Sequence, residues 1–267
     1  MAAKIFEPMS TSHFFRGKAA DYARYRSDYP DVVIRFALAS IALVPDDVVA
    51  DLGSGTGMLS RWFLERGNRL FAVEPEPRMR EVAQASLNRF GAQYTSVAGT
   101  AERTTLIDSS VTVVVAGNAF HYFDAEVARG EVARILRPGG RVLLVGHEHA
   151  STPNDFMRAY SEFIAEVAPD EMRPFHRTDR VSRAEQIFFK RDTPHERDMG
   201  DHTFRLTWDG LRGRFLSTSV APAEGEARHE SVVARLSDLF ERFAHNGAVP
   251  FQLRWRYIWS EPSSLRQ

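Results

Sequence analysis

The chain has 267 residues, 34 of them Lys or Arg against 35 Asp or Glu, for a formal net charge of −1. That length suits one α/β domain with insertions, and the near-neutral balance argues against a broad nucleic-acid surface. The absence of cysteine excludes disulfides, zinc–thiolate sites and thiol nucleophiles. No apolar run reaches the roughly 18 residues of a membrane span, and residues 1–11 lack the apolar core of a secretory signal, so a cytoplasmic location is expected.

Residues 12–44 are helical in pattern, with Phe14, Phe15, Tyr22, Tyr25 and Tyr29 interleaving with Arg16, Arg24 and Arg26. Tyr29-Pro30-Asp31 breaks the pattern and starts a second helix, whose apolar face predicts packing on a sheet. Val48 to Leu52 is an apolar run of the kind found in buried parallel strands. It runs into Asp51-Leu52-Gly53-Ser54-Gly55-Thr56-Gly57. A helix follows, with Met58, Leu59, Trp62 and Phe63 on one face. Gly67 stops it, and a strand, Leu70 to Val73, ends in Glu74. Pro75-Glu76-Pro77 opens a helix that extends to Phe90, prolines being suited to a first turn. Strands are predicted over Gln93–Ala98 and, in a valine-rich run, Val111–Ala116. Ala125–Leu136 reads as helix, Arg137-Pro138-Gly139-Gly140 as a turn and Arg141–Gly146 as a fifth strand. The alternation implies a doubly wound, mostly parallel sheet. Pro153 to Phe189 is helix-rich and aromatic, and is expected to form a lid. A sixth strand at His202–Leu206, helices at Trp208–Leu216 and Glu230–Phe243, and a seventh strand at Val249–Trp259 complete the pattern.

The glycine spacing selects among nucleoside sites. A dinucleotide fingerprint would place its third glycine at position 58, which is Met58, and a phosphate-cradling P-loop would end in Gly-Lys-Ser/Thr, which is absent. What remains is close backbone approach to a ligand that need not carry phosphate, because glycine has no Cβ. Glu74 lies about 20 residues past the first glycine, where an acid accepts hydrogen bonds from ribose hydroxyls.

Asp51 to Gly57 with Glu74 resembles the nucleotide motif of class I S-adenosylmethionine-dependent methyltransferases. Tyr22-Ala23-Arg24-Tyr25-Arg26-Ser27-Asp28-Tyr29-Pro30 resembles the N-terminal stretch of small-molecule enzymes similar to the trans-aconitate methyltransferase group. The resemblance implies a Rossmann-like, seven-stranded sheet whose last strand is antiparallel, in a single domain over 1–267. That domain would comprise cap helices (1–44), a cofactor-binding core (45–147), a helical lid (148–195) and C-terminal strands and helices (196–267). It implies S-adenosyl-L-methionine as cofactor, held by Asp51, Gly53, Ser54, Gly55, Gly57 and Glu74, with Thr100, Ala101 and Glu102 at the adenine and Asn118 and Arg26 at the methionine end. Tyr22, Tyr25 and His149 are expected at the substrate. His121 and His147, near strand ends, are the candidate general bases, since imidazole titrates near neutral pH. His147 and His149 would share a face if their strand continues, but no third ligand lies nearby and no metal is expected. Arg214-Phe215-Leu216-Ser217-Thr218-Ser219 looks like a loop of related proteins, with no mechanism attached.

The expected reaction is methyl transfer to a small organic acceptor, most simply to hydroxyl or carboxylate oxygen, by a monomer or homodimer with no nucleic-acid or membrane partner. The alternatives are carbon or nitrogen methylation in secondary or quinone metabolism, and a cofactor-binding protein that transfers no methyl group. An NAD-dependent oxidoreductase is the third rival, opposed by Met58.

Overall fold

The computed structural model describes residues 18–148, 150–168, 184–189 and 194–260. Two helices, α1 (Ala19–Tyr25) and α2 (Asp31–Ser40), precede the sheet. Then come β1 (Val48–Leu52), α3 (Met58–Leu64), β2 (Arg69–Val73), α4 (Pro77–Leu87), β3 (Tyr94–Val97) and β4 (Val111–Gly117). The second half holds α5 (Ala125–Ile135), β5 (Leu136–Glu148), α6 (Asp155–Val167), helical residues 184–189 (α7), β6 (His195–Leu206), α8 (Trp208–Leu216), α9 (His229–Phe243) and β7 (Val249–Ser260).

The sheet order is β3-β2-β1-β4-β5-β7-β6. Strands β1 to β5 run parallel, and β7 runs antiparallel to both β5 and β6. The chain therefore reverses direction across the sheet between β1 and β4, and ligand crevices of such sheets open at the carboxyl ends there. The predicted doubly wound architecture is the one observed. One face of the sheet packs against α2, α3, α6, α8 and α9 through Ile34, Phe63, Phe156, Phe215 and Leu236. The other packs against α5 and α7 through Val132, Ile135 and Phe188. Apolar burial on both faces accounts for near-continuous valine runs such as β4.

Three elements differ from the sequence pattern. Arg137 to Gly140 does not separate helix from strand. Leu136 already pairs with Val111 and Arg141 with Val113, so these four residues are an excursion inside β5. The sixth strand begins at His195, seven residues before the predicted start, because pairing with β7 continues along a polar edge. The aromatic residues of the expected lid, Phe156, Tyr160 and Phe163, lie in the core; residues 169–183 of that segment fall outside the described set. Among the described residues no helix is long and apolar enough to cross a membrane.

Helix α1 is too short to be stable alone, and the C-terminal half holds it. Lys18 Nζ donates to the carbonyls of Thr218 (2.7 Å) and Ala221 (3.1 Å). Tyr25 Oη donates to Asp209 (3.1 Å), and Arg24 pairs with the same carboxylate. The Tyr25 ring rests on Gly213, where a Cβ would penetrate it. Gly213→Ala is expected to destabilise by about 1–3 kcal/mol through overpacking, measured by urea unfolding; a change below about 0.5 kcal/mol would show that α1 undocks freely.

Candidate active site

The glycine turn carries three left-handed residues, Gly53 (φ 66°), Gly55 (φ 55°) and Gly57 (φ 82°). A Cβ on Gly53 would come within 2.7 Å of Ala119 Cβ, and one on Gly57 within 2.5 Å of Leu87, whereas Gly55 faces open space. The outer glycines thus pack the turn, and the middle one is where a ligand can approach backbone. The amides of Gly53 and Ser54 donate to Val73 O, tying the turn to the end of β2. Glu74 follows, and its carboxylate accepts from Gly55 N and Glu76 N, both at 2.9 Å. Burial pushes this carboxyl above its usual range, opposed by those two amides and by Arg80.

A cleft of about 770 Å³, its open mouth included, runs from Gly53 and Gly55 past Glu74 and Met79 to Ala101 and Phe123. Thr100, Ala101 and Glu102 border it. Thr100 Oγ1 accepts from Arg103 N (3.2 Å), and Glu102 accepts from Asp124 N (2.9 Å), which anchors the loop into α5.

A second cleft of about 470 Å³ shares Tyr22, Gly53, Gly55 and Asn118 with the first. Its lining is polar: Arg26, Asp51, Ser54, Thr56, His147 and Arg214 contribute. Asp51 is 1% exposed. Ser60 Oγ donates to its Oδ2 at 2.6 Å, while Oδ1 has no hydrogen-bond partner among the described residues, nor do Ser54 Oγ and Thr56 Oγ1. Burial pushes the Asp51 carboxyl up to about 7, with the Ser60 bond opposing and the Glu74 charge adding. Arg26 and Arg214 line the same cleft. Arg26 stacks over the Tyr22 ring, and its Nε donates to Ser217 Oγ (3.1 Å). Arg214 is 4% exposed, lies over the Phe251 ring (4.5 Å) and donates to Ser27 Oγ (3.3 Å).

Asn118 stands where the clefts meet, with a left-handed backbone (φ 53°). Its amide donates to Val145 O, and its Oδ1 accepts from His147 N (3.0 Å), so it staples the end of β4 to β5. His147 lines the polar cleft and also a third cleft of about 410 Å³, and its ring meets Trp255 edge-on at 5.1 Å. His121 borders the third cleft, its ring 3.9 Å from that of Tyr122.

Residues 50–144, from β1 into β5, match the methyltransferase domain family. That stretch of the chain is similar to a methyltransferase domain. Over 131 residues it is 41% identical to an uncharacterized methyltransferase of Mycobacterium tuberculosis, covering 49% of this chain and 51% of that one. An uncharacterized methyltransferase-like protein of Schizosaccharomyces pombe is 28% identical over 139 residues, 52% of this chain and 53% of that one. The chain thus spans about half the length of the curated relatives it matches. Among solved structures, a protein provisionally termed a type II methyltransferase, from Anaeromyxobacter dehalogenans, superposes with a TM-score of 0.63 at 22% identity, over 89% of this chain and 98% of that one. That likeness supports the fold.

Within the matched residues lie Asp51, the glycine turn, Glu74, Thr100 to Glu102, Asn118 and His121. Arg26, His147 and Arg214 reach the clefts from outside it. Of the two expected substrate tyrosines, Tyr22 borders both the nucleoside-sized and the polar cleft, whereas Tyr25 turns to α8. His149 falls outside the described residues. No group of three His, Asp or Glu suited to a metal occurs among the described residues. Arg214 was not foreseen, although the sequence holds a signal for it. It sits on the apolar face of α8 beside Leu211 and Phe215, both fully buried, and a buried cation needs a partner. Ser217 of the same run positions Arg26, giving Arg214 to Ser219 a structural reason.

Proposed function

We propose that this chain transfers the methyl group of S-adenosylmethionine to a small organic acceptor, at the oxygen of a hydroxyl or carboxylate, in the manner of the trans-aconitate methyltransferase-like group. The observation that carries the reading is the pair of communicating clefts. One is nucleoside-sized with a buried acid at the glycine turn; the other is lined by two arginines and by a buried carboxylate whose Oδ1 has no partner among the described residues. That pairing suits a ribonucleoside joined to an amino acid, whose ammonium would satisfy Asp51 and whose carboxylate would meet Arg26 and Arg214. Phosphate fits poorly, because the Glu74 carboxylate already occupies the amide of Gly55, where a pyrophosphate would need it.

When bound, the cofactor supplies an electrophilic methyl group. The protein's part is alignment, exclusion of water and, for a hydroxyl acceptor, removal of a proton. Glu74 would hold the ribose hydroxyls, Asn118 would fix the junction between β4 and β5, and α1 would cap the cofactor through Tyr22 and Arg26. His147, which borders both the polar and the third cleft, is better placed than His121 to take the acceptor's proton.

Calorimetry with S-adenosylhomocysteine tests the reading. Wild type is expected to bind, and Glu74→Gln to bind about 10- to 100-fold more weakly, since the amide offers one acceptor oxygen where the carboxylate offers two. No binding by wild type would reject the cofactor, and unchanged affinity in the variant would reject the ribose role.

A further inference from the structure

Tyr29 marks the break before α2 in the sequence, and in the fold its side chain reaches the ligand clefts. Its backbone is fixed where α1 gives way to α2. The Tyr29 amide donates to Asp28 Oδ1 (2.8 Å), and Asp28 Oδ2 pairs with Arg61 of α3. The ring is 6% exposed and packs on that of Trp255, their centroids 5.2 Å apart. The hydroxyl lies against Gly117, where a Cβ would come within 2.1 Å of Tyr29 Oη. Gly117 and Asn118 line both the nucleoside-sized and the polar cleft, and Tyr29 lines the polar one. The phenol oxygen accepts a long hydrogen bond from Asn118 Nδ2 (3.5 Å), which leaves its own proton to donate. No acceptor for that proton occurs among the described residues. Asp51 Oδ1, in the same cleft, has no donor among them either.

An unspent donor and an unspent acceptor that share one cleft without satisfying each other are complementary to a zwitterion. We propose that Tyr29 binds the carboxylate at the amino-acid end of the cofactor, its phenol donating to that carboxylate while Asp51 takes the ammonium. The proposal rests on the S-adenosylmethionine reading of the polar cleft and deepens it, because the cleft then selects the intact amino acid over its decarboxylated counterpart. A carboxylate offers about four lone-pair sites, room for a phenol beside Arg26 and Arg214. An ammonium group carries donors only and cannot receive the phenol's proton, which leaves the carboxylate as its partner. Burial pushes the Tyr29 hydroxyl well above its ordinary value, so the group keeps its proton and serves as a donor rather than a base. A buried donor without a partner costs stability in the free protein, and an anionic ligand group at the cleft removes that cost. Packing on Trp255 and the anchor through Asp28 hold the hydroxyl in place before the ligand arrives, so little ordering is needed on binding.

Calorimetry on wild type and Tyr29→Phe tests the proposal with three ligands: S-adenosylhomocysteine, its decarboxylated analogue, which keeps the amine, and adenosine, which lacks both charged groups. The substitution removes one oxygen and keeps the ring on Trp255, so the fold should be retained, and unchanged adenosine binding verifies it. Tyr29→Phe is expected to weaken S-adenosylhomocysteine by about 10-fold or more, the loss of a hydrogen bond to a charged group. The decarboxylated analogue and adenosine should each stay within about twofold of wild type. Unchanged S-adenosylhomocysteine affinity in the variant would overturn the proposal. So would an equal loss for S-adenosylhomocysteine and the decarboxylated analogue, since the hydroxyl would then act on the ammonium or on the shape of the cleft. An equal loss for all three ligands would likewise reject it, leaving Tyr29 a structural support of Gly117 and Asn118. Failure of wild type to bind S-adenosylhomocysteine would instead sink the underlying reading of the cofactor.

Discussion

Arg214→Met is expected to weaken S-adenosylhomocysteine binding by roughly 100-fold, or about 3 kcal/mol, while leaving adenosine affinity within about twofold. The large effect follows from burial. Arg214 is 4% exposed and lines the polar cleft together with Asp51. A ligand carboxylate meeting it there forms a charge-assisted bond largely screened from water, and removing the cation leaves the anion desolvated and unpaired. Methionine loses the guanidinium that lies over Phe251 but keeps an apolar stem of similar length in the buried position, so the fold should survive. Adenosine lacks the amino-acid portion and reports on the glycine turn and Glu74 alone. Equal loss for both ligands would make Arg214 a structural residue that props α8. No loss for either would remove it from the site. Calorimetry with the two ligands separates these outcomes.

What the sequence disclosed and what it withheld divide along sequence separation. The βαβ unit from Val48 to Glu74 was legible because its signals are local. Valine-rich runs are buried on two faces, and the glycines mark left-handed positions that side chains rarely adopt. The strand ends, and hence Asp51, Glu74 and Asn118, follow from those runs. The apolar face of α8 marks Arg214 as a buried cation, but not as a site residue, because about 160 residues separate it in sequence from Asp51. Only the docking of α8 against α1, through Tyr25 on Gly213 and Ser217 on Arg26, brings it to the cleft. The same docking separates Tyr22 from Tyr25, which the pattern grouped together: three residues apart, one faces the ligand clefts and the other α8. The start of β6 was hidden for another reason. His195 to Asp201 is an edge segment rich in charge, which discourages pairing with another chain but also erases the apolar alternation by which strands are read. Its charges do specific work, since Glu196 helps hold Arg256 and Asp198 holds Arg254.

Asp51→Asn should flatten the fall in stability that wild type shows as pH rises from about 4 to 7. The sign follows from burial. The Asp51 carboxyl is raised from 3.8 to about 7 in the folded chain, so folding favours its protonated form. The resulting stabilisation is fully present below the unfolded value, declines as pH rises, and is gone above the folded value. A rise of that size corresponds to roughly 4 kcal/mol between the two ends of the window. Glu74 shifts in the same direction and contributes a parallel slope, so the difference between wild type and variant isolates Asp51. Urea unfolding at several pH values reads it directly; identical slopes would show that Asp51 ionises as freely folded as unfolded. The same residue links stability to function. A ligand ammonium at the unpartnered Oδ1 would favour the carboxylate and reverse the shift, so S-adenosylhomocysteine binding near pH 6 should release a proton. Calorimetry in buffers of different ionisation enthalpy would detect that release in wild type, and its absence in Asp51→Asn would assign it. Burying an acid with one oxygen unpaired costs stability in the free protein, and on the proposed reading that cost would be recovered only by a ligand that brings a cationic group to the end of the polar cleft.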